Sequence, residues 1–181
     1  PKYDKTGGIK GFKDMMQFSL VASVGCPGEC SFCSVSIHQG RIVQSRTPES
    51  IYLEALKLSK HPDFKGTITD IGGPTANLFL SNCKVWKQNG FCKERQCLMP
   101  QKCPNLKLSY KMLMTIYKNI QNIPKVKHVF IQSGLRYDLL VDTEDCEEFL
   151  QYICQNNISG RMKIAPEHTD DKVLKLMNKP S

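Results

Sequence analysis

Three cysteines lie within eight residues in the stretch Gly25-Cys26-Pro27-Gly28-Glu29-Cys30-Ser31-Phe32-Cys33. They are separated by three residues and then by two, and they follow an apolar run at 18–24 that is typical of a buried strand. A loop that leaves a strand can turn several thiolates toward one small metal centre. A structural zinc or a complete cysteine-ligated cluster needs four ligands. Three local cysteines with no obvious fourth therefore predict a metal centre with an open coordination position.

The alternative is that these cysteines are buried as small apolar side chains, or that they act as redox thiols. Buried cysteines are common and behave mostly as small hydrophobes. Core cysteines, however, follow the periodicity of a strand or a helix, whereas these lie in a segment broken by Pro27 and Gly28. The spacing therefore favours metal ligation.

The chain has 181 residues, enough for one domain with a hydrophobic core. Because it begins at Pro1, we expect a single truncated domain over 1–181, cut from a longer protein. The odd count of 9 cysteines and the lack of a signal peptide favour the reducing cytoplasm. No apolar run approaches a membrane span. The net charge of +8 is compatible with a polyanionic partner such as nucleic acid, but no block of basic residues stands out.

Strand, loop and helix alternate four times along the chain. Strands are predicted at 17–24, 66–71, 126–132 and 161–165. Helices are predicted at 48–59, 108–122 and 143–155, and a last helix follows Thr169, which is its predicted N-cap. This repeat requires parallel strands with right-handed crossovers, so we predict an α/β fold. A cysteine-rich insertion occupies about 78–107. The apolar stripe of the third helix predicts that Cys146 and Cys154 are buried.

A polar or glycine-rich motif follows each predicted strand, at 25–33, 72–77, 133–138 and 166–169. The carboxyl ends of parallel strands meet at one edge of the sheet, and α/β proteins build their active sites there. We therefore expect these four motifs to share one site.

The spacing Cys26-x3-Cys30-x2-Cys33, with Phe32 before the last cysteine, resembles the signature of the radical S-adenosylmethionine (SAM) superfamily. More closely, the chain resembles the YgiQ-like family of uncharacterised iron–sulfur oxidoreductases. The further matching segments are Gly7-Gly8-Ile9, His38-Gln39-Gly40-Arg41, Gln44-Ser45-Arg46, Asp70-Ile71-Gly72-Gly73-Pro74-Thr75-Ala76-Asn77, Ser133-Gly134-Leu135-Arg136-Tyr137-Asp138 and Lys163-Ile164-Ala165-Pro166-Glu167-His168-Thr169. Val24 and Lys10 depart from the family pattern, which has a basic residue and a proline there.

The resemblance implies that Cys26, Cys30 and Cys33 hold a 4Fe–4S cluster, and that SAM occupies the fourth iron through its amino and carboxylate groups. It implies reductive cleavage of SAM to a 5′-deoxyadenosyl radical, which abstracts hydrogen from an unknown substrate. The electron would come from a donor such as flavodoxin or ferredoxin. The implied fold is a partial (β/α) barrel with about four of six β/α units present, whose last strand exposes an unpaired edge. We expect this fragment alone to be inactive.

The same resemblance places a set of cofactor-binding residues around SAM: Gly72, Gly73, Pro74, Thr75, Ser133, Arg136 and Glu167. Gly72 and Gly73 lack a Cβ and would let SAM approach the main chain. Arg136 would offer a bidentate fork to the SAM carboxylate, or alternatively pair with Asp138 or Asp142. Glu167 would accept hydrogen bonds from the ribose hydroxyls, or instead favour the helix start near Thr169. His38, Arg41 and His168 are interpreted as polar surface or packing residues, with contact to SAM or substrate as the minority alternative.

A second cysteine group lies in the insertion at Cys83, Cys92, Cys97 and Cys103, with eight, four and five residues between successive members. It lacks the two-residue spacing common in zinc sites. Two interpretations stay open, a second metal (zinc or another cluster) and a thiol-rich flap over the substrate. Rival functions are a methylthiotransferase-like enzyme acting on RNA or protein, and a non-catalytic iron–sulfur or zinc protein that binds nucleic acid.

Overall fold

A computed structural model describes residues 3, 5, 7–9, 11–141 and 143–180 of the protein. Its strands are β1 (Ser19–Val21), β2 (Ser23–Val24), β3 (Gln44–Ser45), β4 (Thr67–Ile68), β5 (Asp70–Gly72), β6 (Asn82–Cys83), β7 (Leu106–Lys107) and β8 (His128–Val129). Its α-helices are α1 (Val35–His38), α2 (Pro48–Leu58), α3 (Lys84–Asn89), α4 (Lys111–Gln121), α5 (Tyr137–Leu140), α6 (Cys146–Asn156) and α7 (Asp171–Leu176). A π-helical turn lies at Phe12–Met16 and a 3-10 turn at Ala76–Leu78.

The parallel strands follow one another in space in the order of the chain. β1 pairs with β5, so that Leu20 lies opposite Ile71, and β4 pairs with β8, so that Thr67 lies opposite His128. A parallel bridge between Leu135 and Ile164 continues the series. The α/β fold with neighbouring parallel strands is therefore confirmed. In the described ranges these short strands do not close into a barrel.

The core lies between these strands and the helices α2, α4 and α6. Local sequence explains where α2 begins, because the Thr47 hydroxyl accepts a hydrogen bond from the Ser50 amide at 3.2 Å and Pro48 occupies the first helical position. In α4 the predicted apolar face is buried, with Tyr117 and Ile120 fully enclosed. These helices pack against the strands, and the motifs that follow the strands lie in loops.

The C-terminal part differs from the prediction in two places. The strand expected at 161–165 is reduced to the single bridge at Ile164, whose side chain is 50% exposed. The last helix is capped by Asp170 and not by Thr169, since Asp170 Oδ1 accepts hydrogen bonds from the Lys172 and Val173 amides at 2.9 and 3.1 Å. The Asp170 carboxylate, and not the predicted Thr169 hydroxyl, accepts hydrogen bonds from the first free amides of the helix.

The third helix corrects one prediction about cysteines. α6 buries Phe149 and Ile153, and Cys146 packs half-buried beside them. Cys154, predicted to be buried, is exposed. The buried face of α6 is narrower than its apolar stripe. Leu150 is only partly buried at the edge of that face, and Cys154, one helical turn later, lies along the same edge.

The insertion forms a small unit of its own. β6 and β7 pair antiparallel, so that Cys83 lies opposite Leu106, and α3 follows β6 directly. The sequence also gave no indication of β3, which pairs antiparallel with β2. None of the helices in the described ranges combines the length and the apolar character needed to cross a bilayer.

Candidate metal centre and cofactor site

The cysteine loop follows β2 and is held by backbone hydrogen bonds. The Cys26 amide donates to Gly40 O at 3.0 Å, and the Cys33 amide donates to Cys30 O at the same distance. Cys26 and Cys30 are buried, and Cys33 is half-buried. The loop therefore turns inward, as the sequence predicted, and exposes only its third thiol in part.

Arg136, which follows the third parallel strand, reaches into this loop. Its Nη1 lies 3.5 Å from the Cys30 sulfur. A Cβ on Gly28 would lie 2.5 Å from the same Nη1, so the guanidinium can approach only because residue 28 is glycine. The Gly28 amide donates to the Cys26 sulfur at 3.4 Å. Two of the three sulfurs thus face a hydrogen-bond donor.

The electrostatics of the loop suit a bound cation or cluster. Burial raises the pKa of the Cys26 thiol above its ordinary value, and the neighbouring Cys30 and Cys33 add to the rise. The Gly28 amide and the Arg136 charge act in the opposite direction. Three thiolates crowded here repel one another, and a positive metal centre removes that repulsion. The donor set therefore fits an iron–sulfur cluster.

The distances between the ligand side chains bear on the kind of metal centre that the loop can hold. Among the residues that the structure describes, no three His, Cys, Asp or Glu side chains are grouped closely enough to hold one metal ion. A cluster distributes its cysteine ligands over different irons, so its sulfurs lie farther apart than the ligands of one ion. This arrangement is compatible with a cluster at the loop.

The guanidinium of Arg136 is largely occupied by Asp138. Its Nε lies 3.1 and 3.2 Å from the two carboxylate oxygens, and its Nη2 lies 2.5 Å from Oδ2. Burial opposes the charge, but the hydrogen bond and charge of Asp138 raise the pKa of Arg136 well above its usual range. The local salt bridge weighed as the alternative is thus present, while Asp142 lies outside the described residues. Contact between Arg136 and SAM stays a prediction.

Asn77, which sequence reasoning did not assign to the site, fixes the backbone of Arg136. Its Nδ2 donates to Arg136 O at 2.8 Å, and its Oδ1 accepts from the Arg136 amide at 3.0 Å. The Thr75 hydroxyl lies 2.8 Å from Asn77 Oδ1 and 2.5 Å from Gly134 O. In the sequence, Asn77 is the last residue of the motif that follows the second predicted strand, and this position is the feature that could have indicated its role.

Gly72 and Gly73 are required by the packing of the protein itself. A Cβ on Gly73 would lie 2.5 Å from Ser23 O, and one on Gly72 would lie 2.6 Å from Asp70 Oδ2 and closer still to the Ser133 hydroxyl. Asp70 accepts the Ser133 amide at 3.2 Å and also its hydroxyl, which ties the second strand to the third. Pro74 is half-buried beside them. Contact between SAM and the segment at 72–75 stays a prediction.

Glu167 has an unusual backbone conformation at the predicted rim. Its φ is +67°, in the left-handed region that non-glycine residues seldom adopt, and its side chain is exposed. His168 does serve local structure, because its Nδ1 accepts a hydrogen bond from the Asp170 amide at 2.9 Å. The side chain of Glu167 is thus presented to solvent at the edge where SAM is expected.

Lys179 is a site residue that the sequence did not reveal. It is 2% exposed, and its Nζ donates to Ala165 O at 2.5 Å. Burial, followed by the charge of Arg136, lowers the pKa of its ammonium. Three groups of the same rim oppose this shift, namely Asp138, Cys30 and Glu167. Lys179 follows the short helix α7, and nothing in the neighbouring sequence predicts that it is buried. Its burial comes from tertiary packing.

The segment around Lys179 also holds the cysteine loop. The Ser31 amide donates to Met177 O at 2.9 Å, and Asn178 Nδ2 donates to Glu29 O at 2.7 Å. These bonds lie on either side of Cys30. The C-terminal segment therefore positions the central cysteine of the loop.

Arg41 and His38 have different surroundings. Arg41 Nη2 lies 2.6 Å from Glu29 Oε2 and 3.4 Å from Arg95 O, and its guanidinium lies over the Phe91 ring. Arg41 thus joins the cysteine loop to the insertion. His38 ends α1 with an exposed side chain, as expected for a polar surface residue.

The second cysteine group is mostly buried. Cys83, Cys97 and Cys103 lie in one apolar cluster that also contains Cys26 of the first loop, whereas Cys92 is half-buried. They are therefore packed as a group beside the cysteine loop.

The proteins similar in sequence to this chain are longer than it, and those described below are UPF0313 proteins. A UPF0313 protein of Clostridium botulinum (strain 657 / Type Ba4) is 46% identical over 181 residues, which cover all of this chain and 28% of the relative. A UPF0313 protein of Methanosarcina acetivorans is 46% identical over 167 residues, covering 92% of this chain and 22% of the relative. One from Fusobacterium nucleatum is 43% identical over 180 residues, covering 99% and 32%. The chain thus spans a third or less of these relatives.

A family match covers most of the chain. The sequence model described as the radical SAM superfamily matches residues 20–181, which include the three-cysteine loop and every rim motif. The resemblance seen in the cysteine spacing is thereby confirmed at the level of the superfamily. The chain belongs to the radical SAM superfamily, whose members generally bind a 4Fe–4S cluster and SAM.

Proposed function

We propose that this chain is the cofactor-binding part of an enzyme that cleaves SAM reductively, with Cys26, Cys30 and Cys33 as ligands of a 4Fe–4S cluster. The observation that carries the proposal is the reach of Arg136 from the end of the third parallel strand to the Cys30 sulfur. It joins two of the predicted motifs at one point. The chain spans 28% of its Clostridium relative, so the activity is assigned to the whole protein.

The protein's own part in holding the cluster is electrostatic. Arg136 and the Gly28 amide each place a donor near a cysteine sulfur, and such donors stabilise the thiolate over the thiol. Asp138 holds the guanidinium in this orientation, and Asn77 holds the backbone beneath it. Cys33, the most exposed of the three cysteines, marks the side from which the cluster is reached.

The rim suits a zwitterionic nucleoside. Lys179 supplies a buried positive charge for a carboxylate, and Arg136, which is paired with Asp138, adds to the positive potential there. Glu167 and Ser133 supply oxygen acceptors and a hydroxyl for an amine and for ribose hydroxyls. Gly72, Gly73, Pro74 and Thr75 form the backbone segment beside them. When bound, the cluster would pass one electron to SAM, and the cleavage of SAM would supply methionine and a 5′-deoxyadenosyl radical able to take a hydrogen atom from the substrate.

A redox protein such as flavodoxin or ferredoxin is the proposed source of the electron. The nucleic-acid alternative rests on the net charge of +8 alone, and for that reason we do not propose it.

The test uses the full-length protein, reconstituted anaerobically with iron and sulfide and then given SAM and dithionite. We expect 5′-deoxyadenosine and methionine in chromatography with mass detection. Cys30→Ala should abolish both products, while Cys154→Ala, at an exposed position on α6, should leave them unchanged. A full-length protein that holds an intact cluster and never cleaves SAM would contradict the proposal.

A further inference from the structure

The insertion places three buried cysteines in one apolar cluster. The antiparallel pairing of β6 with β7 sets Cys83 opposite Leu106, and the Leu106 amide in turn donates to Cys103 O at 3.0 Å. The Cys103 amide donates to Cys97 O at 2.8 Å. All three side chains belong to the same buried cluster. Residues far apart in the sequence are thus gathered by backbone hydrogen bonds around a common interior.

Two buried hydrogen-bond donors in this part of the molecule lack an acceptor. Trp86 is 8% exposed and belongs to the same buried cluster as Cys97. Its Nε1 completes no hydrogen bond with any described residue, and neither does the buried Nε of Arg41. A buried donor without an acceptor costs about 1–3 kcal/mol, so native proteins seldom leave one. A buried indole N–H without a partner inside this cysteine cluster indicates that an acceptor belongs there.

Metal-bound sulfur provides that acceptor. A neutral thiol accepts hydrogen bonds weakly, whereas a thiolate bound to a metal retains negative charge and accepts N–H groups readily. The positive charge of Arg41 favours such an anionic centre. A metal can also enter the site, since a surface groove of about 520 Å³ is lined by both Cys83 and Trp86.

We propose that Cys83, Cys97 and Cys103 ligate a second metal centre, with the half-buried Cys92 as the fourth ligand and Trp86 as a donor to one of its sulfurs. Thiolate sets of this kind select zinc or an iron–sulfur cluster over hard cations. The described cysteines are not drawn together around a single ion, so loading the metal would contract or rearrange the loop at 90–103. Arg41 also pairs with Glu29, so the centre braces the insertion against the first cysteine loop.

The experiment removes the first centre and measures what is left. Full-length protein carrying Cys26→Ala, Cys30→Ala and Cys33→Ala is purified anaerobically, and its zinc, iron and acid-labile sulfide are counted. We expect metal to remain, as zinc alone or as iron with sulfide, and either result supports the proposal. Adding Cys83→Ala, Cys97→Ala and Cys103→Ala should remove it. No metal in the first variant, or equal metal in both, would overturn the proposal.

Three single substitutions keep the test decisive if the multiple variant fails to fold. Cys97→Ser should lower the metal content of the protein lacking the first centre, while Cys154→Ser, at an exposed position, should not. Trp86→Phe keeps an aromatic ring and removes only the N–H. Loss of such a supporting donor weakens metal binding by about 10- to 100-fold, measured by competition with a chelator. Unchanged metal affinity in Trp86→Phe would overturn its assignment as a donor.

Discussion

The carboxamide of Asn77 makes two hydrogen bonds to the backbone of Arg136, donating to its carbonyl at 2.8 Å and accepting from its amide at 3.0 Å. Arg136 in turn contacts the Cys30 sulfur and the Asp138 carboxylate. A buried amide after the second strand therefore sets the guanidinium that follows the third strand and reaches the cysteine loop.

Asn77→Ala should be strongly destabilising, because it leaves two buried backbone groups of Arg136 without partners. We expect a loss of roughly 2–4 kcal/mol in the free energy of unfolding, measured from the urea transition of the full-length protein. Asn156→Ala is the matched control, since the Asn156 amide donates to Tyr152 O on an exposed helix face. It should change stability by less than about 0.5 kcal/mol. Equal effects of the two substitutions would show that Asn77 does not fix Arg136.

The pair formed by Arg136 and Asp138 should separate stability from cluster assembly. Their side chains are 8% and 5% exposed, so Arg136→Met leaves a buried carboxylate unpaired and should cost about 3–5 kcal/mol. The double variant Arg136→Met/Asp138→Leu should recover most of that stability. It should still assemble less cluster, because no cation faces Cys30; the measurement is iron per chain after reconstitution. Full cluster content in the double variant would contradict the role given to Arg136.

Local signals explain the parts of the fold that the sequence predicted. The N-cap of Thr47 and the proline after it act over one helical turn, so the start of α2 was predictable. The period of the apolar residues in α4 likewise predicted its buried face. The alternation of strands and helices placed the rim motifs at one edge, and Arg136 at the cysteine loop agrees with that placement.

The remaining features depend on tertiary contacts that no local pattern encodes. Lys179 is buried because the segment after α7 folds back onto the cysteine loop, through Met177 and Asn178. Asp138 occupies the fork of Arg136 because both are enclosed together, and sequence alone left that pairing as one of two alternatives. Cys154 is exposed since the core meets only part of the apolar stripe on α6.

Glu167 should reveal backbone strain and cofactor binding separately. Its φ of +67° suits glycine, so Glu167→Gly should stabilise the fold by about 1 kcal/mol. The same substitution, and also Glu167→Gln, should weaken SAM binding about tenfold in anaerobic calorimetry, because a charge-assisted hydrogen bond is lost. The control is Lys125→Gly, at an exposed position with φ of +75°, which should give the stability gain alone. Unchanged SAM affinity in Glu167→Gln would remove Glu167 from the site.

Lys179→Met should stabilise the protein in the absence of SAM and weaken its binding of SAM. Because the pKa of Lys179 is lowered by burial, the unfolded state binds more protons between the folded pKa and the ordinary value of 10.5. The cost of the buried charge is therefore largest below the folded pKa and disappears as pH rises toward 10.5. The stability gain of Lys179→Met should shrink over that range.

Urea transitions of Lys179→Met at several pH values measure this change. Lys172→Met, on the exposed first turn of α7, serves as the control and should show no such pH dependence. A gain from Lys179→Met that stays constant up to pH 10.5 would contradict the assignment of a buried ammonium.

The central claim is that three cysteines leave one iron of a cluster open for SAM. The most direct measurement is the Mössbauer spectrum of the ⁵⁷Fe-reconstituted full-length protein before and after SAM is added. The account predicts that a single iron site of the cluster changes its isomer shift and quadrupole splitting, and that Cys30→Ala abolishes the response. A cluster whose irons all keep their parameters when SAM is added would contradict it.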